Sequence, residues 1–445
     1  MAQEKEEYEV VIIGGGIVGA ALLYTLSNFT DIENILLIEK EEQIAEINSH
    51  HTNNSQTLHF GDIETNYSLE KAEEVKEGAE MVTGYLEKRD PEREMHSKRS
   101  KMVLAVGEAE VEKLEERWEE GFGDLYPKLE KIRNQEIAEI EPAVVEGREE
   151  EEMLALQTPD GYIVDYGEVA RSFLEDNAER AEVSLGEKVE DIERQDGKYS
   201  IETDEREIEA EVAVVSAGPQ TLKFAKQMGY GGEKSMLPIA GSFFLAENGY
   251  LNGKVYTLQM KGLPFAAVHG DSDVHDQDIT RFGPTAKLVP TLERGKFSTI
   301  PGFFSAFNFD LNGILSYLNV LYDRTLFSYV VKNLIYDLPM IGRLAFLPNV
   351  KKVVPKAGFF DIKRAEGYGG VRPQIVDTER RSLDLGEAKI VEDDIIFNIT
   401  PSPGASTCLK NARKDTETII EFLDGDYSFD REGFEKETLG NFPRE

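Results

Sequence analysis

Cysteine, tryptophan and histidine are the scarcest residue types of this 445-residue chain, with one, one and six copies. The single cysteine, Cys408, excludes an intramolecular disulfide and a zinc site built from four cysteines. Such sparing use of cysteine fits a reducing, cytoplasmic setting. The acidic stretch MAQEKEEYEV lacks the basic region of a secretory signal, so we expect a cytoplasmic protein.

Basic side chains are also scarce. The chain has 49 Lys and Arg residues and 85 Asp and Glu residues, which gives a net charge of −36. A nucleic-acid partner is not expected, since phosphate binding requires a surface rich in Lys and Arg. The acidic residues are spread along the chain, as in EVEKLEERWEEGFGD, which is typical of a solvated surface. Because salt screens self-repulsion, we interpret the excess as a halophilic adaptation to a salt-rich cytoplasm.

Long uncharged runs are few, and the segment Val10–Thr30 matches the about 20 residues that a bilayer requires. Its three consecutive glycines, Gly14 to Gly16, instead favour a strand, a tight turn and a helix. The chain is too long for one ordinary core, so two interleaved domains are expected.

The segment YEVVIIGGGIVGAALLYTL carries the pattern G-x-G-x-x-G at Gly14, Gly16 and Gly19. The first glycine permits a tight turn, the second lets the backbone approach a pyrophosphate, and the third lets helix and strand pack closely. Unpaired N–H groups at the helix N-terminus attract the phosphates. Glu39 ends the next apolar strand, where an acidic side chain binds ribose hydroxyls. These features predict a dinucleotide site.

The order of the later segments favours FAD over a nicotinamide dinucleotide. A nicotinamide enzyme would continue with regular βαβ units, whereas this chain enters a histidine-containing loop and returns through VAVVSAGP and SPGAST. Gly218 ends a strand where the backbone can approach the adenosine. The segment from Ser402 to Thr407 opens a helix and offers further N–H groups to the cofactor.

Five motifs resemble the D-amino-acid-oxidase type of flavoprotein: GGGIVG, EPAVVEG, TPDGYIVD, VVSAGP and SPGAST, in this order. HGDSDVHDQDITRFGPTAK and GYGGVRPQIVD resemble the malate:quinone oxidoreductases and the related L-2-hydroxyglutarate dehydrogenases. Gln56 and Leu58 depart from the malate enzymes, which usually have glycine at these positions. The segment NNSQTLHFGDIETNY otherwise resembles the malate enzymes and shares their pattern at Asn53, Asn54, Thr57, His59, Glu64, Asn66 and Tyr67.

The resemblance implies an α/β fold with a Rossmann-like FAD-binding domain and an interleaved antiparallel-sheet α+β substrate domain. The FAD-binding domain would comprise residues 1–80, 155–225 and 357–430, and the substrate or cap domain residues 81–154 and 226–356. FAD would be bound non-covalently. Its contacts would come from Gly14, Gly16, Ile17, Val18, Gly19, Glu39, Lys40, Asn54, Ser55, Thr57, Val189, Ala217, Gly218, Arg372, Pro403, Gly404, Ala405, Ser406 and Thr407.

Three of the six histidines, His50, His51 and His59, lie in the loop SHHTNNSQTLHFGDIETNY. A metal site would require nearby carboxylates, and Asp62 and Glu64 are candidates. We do not predict a metal, because the rings of adjacent histidines diverge on most backbones. The segment is also compatible with an ordinary surface loop.

The resemblance instead implies a loop that passes the flavin ring and brings His59 close to the substrate. A histidine that titrates near neutrality suits removal of a hydroxyl proton. His269 is the second candidate for acid–base catalysis. We expect His50 and His51 at the surface or behind the site. His96 and His275 should be solvent-exposed.

Substrate carboxylates need cations, which stand out in an acidic chain. Arg372, in GGVRPQ, is the first candidate for a bidentate carboxylate clamp or a contact with a flavin carbonyl. Arg281 and Arg364 are further candidates, although a lone arginine is more often part of a structural ion pair. Arg281 can equally pair with Asp276 or Asp278. The remaining expected substrate contacts and nearby cations are Thr57, Gln374, His269 and Lys363.

We therefore expect FAD-dependent oxidation of (S)-malate to oxaloacetate, with a histidine base, hydride transfer to flavin N5 and electrons passed to a quinone. An L-2-hydroxyglutarate dehydrogenase or oxidase is the alternative, with a substrate one methylene longer than malate. One methylene changes an enzyme's discrimination between two substrates by only ~1–3 kcal/mol, so the sequence does not separate the two functions. The sequence is also compatible with an amino-acid oxidase, a nicotinamide dehydrogenase or an FAD-binding module without turnover.

The segment Thr299–Val354 is poor in charge and rich in aromatic side chains. It predicts a helical core of the substrate domain, a homodimer face, or a patch that dips into lipid. Transfer of electrons to a quinone favours peripheral contact with the inner face of the cell membrane.

The charge imbalance predicts that salt stabilises the folded protein. We expect the midpoint of thermal unfolding to rise between dilute buffer and about 1 M KCl, where the Debye length falls to ~3 Å. Scanning calorimetry at a series of KCl concentrations measures this rise. A midpoint indifferent to KCl would contradict the interpretation of a salt-rich cytoplasm.

Overall fold

The computed structural model describes residues 6–65, 67–175, 180–259, 267–322, 324–384 and 388–440. Asn66, which belongs to the family pattern, lies outside the described residues. The strands are β1 Glu6–Ile13, β2 Ile35–Glu39, β3 His96–Val106, β4 Glu130–Arg133, β5 Met153–Val164, β6 Ala181–Leu185, β7 Val189–Gln195, β8 Lys198–Thr203, β9 Glu207–Val215, β10 Lys234–Ala240, β11 Phe244–Ala246, β12 Lys254–Thr257, β13 His269–Ser272, β14 Thr280–Gly283, β15 Lys287–Leu288, β16 Ile362–Arg364, β17 Val371–Asp377, β18 Ser382–Asp384, β19 Ala388–Glu392 and β20 Ile395–Ile399.

Helices occur singly, in pairs and in one run of four along the chain. They are α1 Ile17–Phe29, α2 Leu69–Arg89, α3 Glu108–Arg117, α4 Gly123–Leu125, α5 Asn134–Ile140, α6 Pro142–Val145, α7 Tyr166–Glu175, α8 Thr221–Gln227, α9 Ile300–Ala306, α10 Leu311–Tyr322, α11 Arg324–Tyr336, α12 Ile341–Val353, α13 Cys408–Phe422 and α14 Arg431–Leu439. A π-helical turn, Trp118–Phe122, follows α3.

The first sheet has the order β19-β20-β9-β1-β2-β6, and the β7–β8 hairpin joins it through β9. β1 pairs in parallel with β2 and β9, as expected for a Rossmann-like sheet. Val10 and Ile12 pack with α1, α7 and α13 on one face, while Val11 and Ile13 pack with the hairpin and α8 on the other. Because both faces are covered, the strands are continuous apolar runs rather than alternating ones.

Two further sheets form the substrate side, with the orders β15-β10-β17-β18 and β16-β11-β14-β13-β12-β3-β5-β4. Their pairings are antiparallel except for β12 with β3. β5 and β17 belong to these sheets, although most of β5 and all of β17 fall within the segments expected to form the FAD-binding domain. The mixed architecture confirms the predicted fold class, and the chain crosses between the sheets several times.

The segment Thr299–Val354 forms α9 to α12, and only part of it is core. α12 inserts Phe346, Val350 and Val353 into the apolar cluster beneath the third sheet. Many other apolar side chains lie at the surface: Phe304, Phe309, Leu311, Ile314, Leu318, Tyr322, Val331, Leu334, Ile335, Leu338, Met340, Ile341 and Leu344. We call this set the apolar surface patch. Among the described residues, no helix is both long enough and apolar enough to cross a membrane.

A buried ion pair joins β3 to the loop that follows β2. Lys101 is fully buried, and its Nζ donates to Asp62 Oδ1 at 2.8 Å. The same ammonium group lies 4.9 Å from the centre of the Phe60 ring. Burial raises the pKa of Asp62 above its ordinary value, against the opposing effect of Lys101. Removal of one partner from such a pair leaves an uncompensated charge in the interior.

We expect Lys101→Met to lower the free energy of unfolding by about 3–5 kcal/mol, the usual cost of breaking a buried pair. Lys98→Met is the matched control, because Lys98 lies on the same strand but pairs with Asp160 at a partly exposed position. Exposed pairs contribute only about 0.2–1 kcal/mol. Urea titrations of both variants measure the difference, and equal losses would contradict the assigned importance of the buried pair.

Candidate functional site

A cavity of about 900 Å³ lies where β1 and β9 end, with Ile13, Gly14, Ser216 and Ala217 in its wall. Ligands of open α/β sheets bind at the carboxyl ends of the strands, so this is the expected place for a dinucleotide. The same wall includes residues from the histidine loop, from the two substrate-side sheets and from the turn before α13.

The three glycines of the fingerprint have the geometry that a dinucleotide requires. Gly14 has a φ of +111°, and a Cβ there would lie 2.6 Å from the Ser216 carbonyl oxygen. A Cβ on Gly19 would lie 2.0 Å from the Gly14 carbonyl oxygen, so only glycine lets α1 and β1 approach so closely. Beside Gly16 a Cβ would meet only Ser49 Oγ, at 3.4 Å. The space next to Gly16 is therefore open to a ligand.

Two further features fit the polar parts of a dinucleotide. The N-terminus of α1 has no side-chain cap from its own N-cap residue, and Ile17 N–H donates to Ser49 Oγ at 3.0 Å. Glu39 accepts hydrogen bonds from Gly15 N at 2.7 Å and Glu41 N at 3.0 Å. Burial nevertheless raises the pKa of Glu39. The helix end suits a pyrophosphate, and the Glu39 carboxylate suits a ribose diol.

Among the described residues of the histidine loop, regular structure is limited to one short 3₁₀ turn and an isolated bridge between Thr57 and Ile163, and the loop's own amide side chains hold it. Asn54 Nδ2 lies within hydrogen-bond distance of three loop carbonyl oxygens, at 2.9–3.2 Å. Asn48 forms two hydrogen bonds with the backbone of Val371, and Gly370 N donates to the Asn53 carbonyl oxygen. The loop therefore fixes the start of β17, where Arg372 follows Val371.

His59 and Glu64 form a hydrogen-bonded pair in the cavity wall. His59 N–H donates to Ser406 Oγ at 2.9 Å, which joins the loop to the turn before α13. Burial alone would raise the pKa of Glu64, but the charge and hydrogen bond of His59, together with Lys101, outweigh it and lower the pKa. An ionised Glu64 that accepts the Nδ1 proton leaves Nε2 of His59 as a proton acceptor.

His269 lies in a second cluster of the same wall, on β13. Its ring stacks on Tyr256 at 4.3 Å between centroids, and Tyr256 Oη lies 2.5 Å from Thr57 Oγ1. Burial lowers the pKa of His269 to about 4, although Asp271 lies 3.1 Å away. Burial alone would raise the pKa of Asp271, but Lys254 and the neighbouring cations lower it to about 2. His269 is therefore neutral, and Asp271 is charged, near neutral pH.

The structure separates the candidate arginines. Arg372 lines the cavity and is the only arginine among the described residues of its wall. Arg281 is fully buried behind the loop, where it donates to the Asn54 carbonyl oxygen at 2.7 Å and lies 3.6 Å from Asp273, rather than near Asp276 or Asp278. Arg364 is partly exposed and donates to the Asp337 carbonyl oxygen. Lys363 pairs with Glu247, and neither Arg364 nor Gln374 belongs to the cavity wall.

Most expected cofactor contacts do lie in the wall: Gly14, Gly16, Ile17, Val18, Glu39, Lys40, Asn54, Ser55, Thr57, Val189, Ala217, Gly218, Arg372, Pro403, Gly404, Ala405 and Ser406. Gly19 and Thr407 do not, because Gly19 packs against the Gly14 carbonyl group and Thr407 against Gly78. Lys40 pairs with Glu293.

Two expectations about the other histidines were wrong. His96 is buried and bonded to Asp90 at 2.7 Å, so it is not solvent-exposed. The rings of His50 and His51 do not diverge but stack at 4.4 Å between centroids. The expectation for His275 is confirmed, since its side chain is exposed, and its Nε2 lies 2.7 Å from the buried carboxylate of Asp165.

Several residues of the site were not predicted from the sequence. Tyr256 and Gln259 line the cavity from β12 and the residues after it, a region where the family resemblance is loose. Asn48 and Ser49 immediately precede the histidine pair, and their amide and hydroxyl groups could have been recognised as loop-holding groups.

Comparison with solved structures places the fold among flavin-dependent enzymes. The L-α-glycerophosphate oxidase of Mycoplasma pneumoniae, solved with FAD bound, matches with a TM-score of 0.65 at 17% identity, over 95% of this chain and 96% of that one. The Rossmann-like sheet, the glycine cradle and the interleaved substrate sheets therefore form a class of fold that this solved, FAD-bound oxidase shares.

Sequence comparison identifies the family within that class. The model of the malate:quinone oxidoreductase (Mqo) family matches residues 6–414, and the chain belongs to this family. A probable malate:quinone oxidoreductase of Campylobacter jejuni is 40% identical over 441 residues, 96% of this chain and 98% of that protein. The mitochondrial L-2-hydroxyglutarate dehydrogenase of Caenorhabditis briggsae is 27% identical, over 94% of each chain. The predicted family and enzyme class are thereby confirmed.

The low pKa of His269 predicts a dependence of stability on pH. An unfolded chain protonates this histidine below about pH 6.5, whereas the folded protein does so only near pH 4. Stability is therefore lost as the pH falls through this window, by at most about 1.4 kcal/mol per pH unit for one proton. His269→Gln should flatten the slope of unfolding free energy against pH between 6.5 and 4.5. Urea titrations at several pH values compare both proteins, and parallel slopes would contradict a neutral His269.

Proposed function

We propose that this protein binds FAD non-covalently and oxidises (S)-malate to oxaloacetate, with the two electrons passed to a quinone. One observation carries the proposal: the glycine cradle, the His59–Glu64 pair and Arg372 all line one cavity. Membership of the malate:quinone oxidoreductase family supports the choice of substrate and acceptor. Overall, malate loses a hydride from carbon and a proton from its hydroxyl group, and the quinone gains two electrons and two protons.

The cradle residues fit FAD, whose flavin N5 accepts a hydride when the cofactor is bound. Gly16 leaves room for the pyrophosphate, the N-terminus of α1 attracts its negative charge, and Glu39 can accept from a ribose. Non-covalent binding is supported by the position of the only thiol, because Cys408 is buried on α13 outside the cavity wall. The histidine loop would lie along the flavin, as the family resemblance implies.

His59 suits the role of base better than His269 does. After taking the hydroxyl proton, His59 becomes a cation, and the ionised Glu64 beside it stabilises that charge. His269, with a pKa of about 4, holds a proton poorly near neutral pH. We therefore assign proton removal to His59 and assign His269 to hydrogen bonding with the substrate.

Arg372 is the group proposed to bind a substrate carboxylate. Its guanidinium can form two parallel hydrogen bonds with a carboxylate, a geometry that lysine cannot reproduce. The hydrogen bonds between Asn48 and Val371 hold the strand that carries Arg372 against the histidine loop. One loop thus positions both the proposed base and the proposed carboxylate clamp.

The apolar surface patch is the proposed site of membrane contact. Residues 299–354 contain five basic and three acidic side chains, a net charge of +2 within a chain of −36. Large exposed apolar patches mark interaction sites, and the local loss of negative charge reduces repulsion from anionic lipid. A homodimer contact through the same patch is the alternative occupant.

The proposed activity is tested by anaerobic titration of the purified holoprotein with L-malate while the flavin absorbance is recorded. Bleaching by malate, with the colour restored by a soluble quinone, supports the proposal. L-2-Hydroxyglutarate is the control substrate. Bleaching by the longer substrate alone would shift the assignment to an L-2-hydroxyglutarate dehydrogenase, and no bleaching by either would overturn it.

His59→Gln should slow reduction of the flavin by malate about 10²–10⁴-fold, the usual contribution of a general base. His269→Gln should cost much less, since it removes a hydrogen bond rather than the proton acceptor. Anaerobic stopped-flow absorbance measures both rates in variants that retain the cofactor. Equal and mild losses in the two variants would contradict the assignment of His59.

Two substitutions in the apolar surface patch, Met340→Glu and Leu344→Glu, should together abolish co-flotation with phospholipid vesicles that contain quinone. Both side chains are more than half exposed, so the variants should fold normally. Leu185→Glu is the matched control, because Leu185 is also exposed but lies on the edge strand β6 of the first sheet. Flotation retained by the double variant, or lost equally in the control, would contradict membrane contact through the patch.

A further inference from the structure

We propose that His51, Asp165 and His275 form a binding site for a divalent transition-metal ion, with Zn²⁺ as the best fit. Two histidines and one carboxylate are a ligand set that such ions favour. The three come from distant parts of the chain, and 110 residues separate Asp165 from His275. This cluster lies outside the cavity wall described above.

The geometry of the cluster suits a single ion. One ligand atom from each residue lies within 4.8 Å of the other two. Asp165 Oδ2 lies 3.5 Å from His51 Nδ1 and 2.7 Å from His275 Nε2. Metal–ligand bonds of about 2.0–2.2 Å place tetrahedral ligand atoms about 3.3–3.5 Å apart, so only small side-chain shifts are needed. The two imidazole rings are nearly perpendicular, at 85°, with centroids 4.9 Å apart.

The carboxylate is already oriented as a metal ligand. Asp165 is almost fully buried, and its Oδ1 accepts hydrogen bonds from Gly167 N at 2.8 Å and Glu168 N at 3.1 Å. Its Oδ2 therefore faces the two histidines. Such outer hydrogen bonds fix the ligand atoms and commonly raise metal affinity.

Gln56 brings all three ligand segments together. Its side-chain amide donates to Asp273 Oδ2 at 3.0 Å and to the His51 carbonyl oxygen at 3.2 Å, and its Oε1 accepts from Val274 N at 3.0 Å. Its own carbonyl oxygen accepts from Val164 N, next to Asp165 in the sequence. Glycine, the usual residue at this position in the malate enzymes, could form none of the side-chain bonds. This departure from the family pattern therefore has a physical role.

An ion at this site would tie the histidine loop to the start of α7 and to the segment that joins β13 to β14. Ser49, two residues before His51, contacts the N-terminus of α1, and Asn54 and Thr57 line the cavity. Metal binding should therefore stabilise the fold and slow the loss of cofactor. A solvent-connected cleft of about 490 Å³ beside His275 gives the ion a path to the site.

Calorimetric titration of EDTA-treated holoprotein with Zn²⁺ tests the proposal, with excess Mg²⁺ and about 0.5 M KCl present to suppress weak binding to the acidic surface. We expect one Zn²⁺ per chain, with micromolar or tighter affinity, and a rise in the thermal midpoint. His51→Ala and His275→Ala should each weaken binding at least tenfold. His50→Ala is the matched control and should bind normally, because His50 stacks on His51 but is not a ligand.

Co²⁺ provides a second readout that does not depend on folding energy or activity. Tetrahedral coordination should produce visible absorbance bands in the native protein that His275→Ala lacks, measured on protein freed of flavin or as a difference spectrum. A Zn²⁺ stoichiometry near zero would overturn the proposal, and so would affinity unchanged in His275→Ala. Loss of binding in His59→Ala instead would move the metal to the cavity and equally overturn it.

Discussion

The loop from Asn48 to His59 is the constraint on which the rest of the site depends, because it crosses the interior with almost no regular structure. Buried backbone groups must still be hydrogen-bonded, and here amide side chains do this. Asn54 serves three carbonyl groups of the loop itself, and Asn48 binds the edge of β17. The cluster of Asn and Gln in an otherwise Glu- and Lys-rich chain is thus explained by structural need. The proposed base and the proposed carboxylate clamp take their positions from it, and Ser49 joins it to the cradle.

Charge is distributed unequally between the interior and the surface. Although basic residues are scarce, several are buried in pairs, as with Lys101 and Asp62 or Lys254 and Asp271. Burial lowers the pKa of Lys254 to about 8 although Asp271 opposes this shift, whereas the charge of Lys254 outweighs burial and lowers the pKa of Asp271 to about 2. The surface is left with the acidic excess, except along the apolar surface patch. The apolar surface patch therefore differs from the rest of the described surface in both charge and polarity.

The sequence pattern predicted a structural feature correctly where all the residues that cause the feature lie in one short segment. The glycine spacing at Gly14 to Gly19 implied the cradle, because the turn, the close packing and the helix N-terminus all lie within one stretch. The Thr299–Val354 segment was correctly predicted to be helical. Only the structure, however, shows that many of its apolar side chains are exposed. The sequence ranked Arg372 first but kept Arg281 and Arg364 as candidates, because charge and neighbouring motifs do not reveal which face of a strand meets a cavity.

By itself the sequence determined the β1–α1–β2 unit with its dinucleotide cradle, since those residues lie close together in the chain, and its motifs indicated the family. Only the tertiary structure decided which of the candidate arginines lines the cavity, that His96 is buried, and that His269 lies against Tyr256 and Asp271. It alone brought His51, Asp165 and His275 together. These are contacts between segments of different sheets, and their distances depend on how the chain crosses between the sheets, which no local spacing encodes.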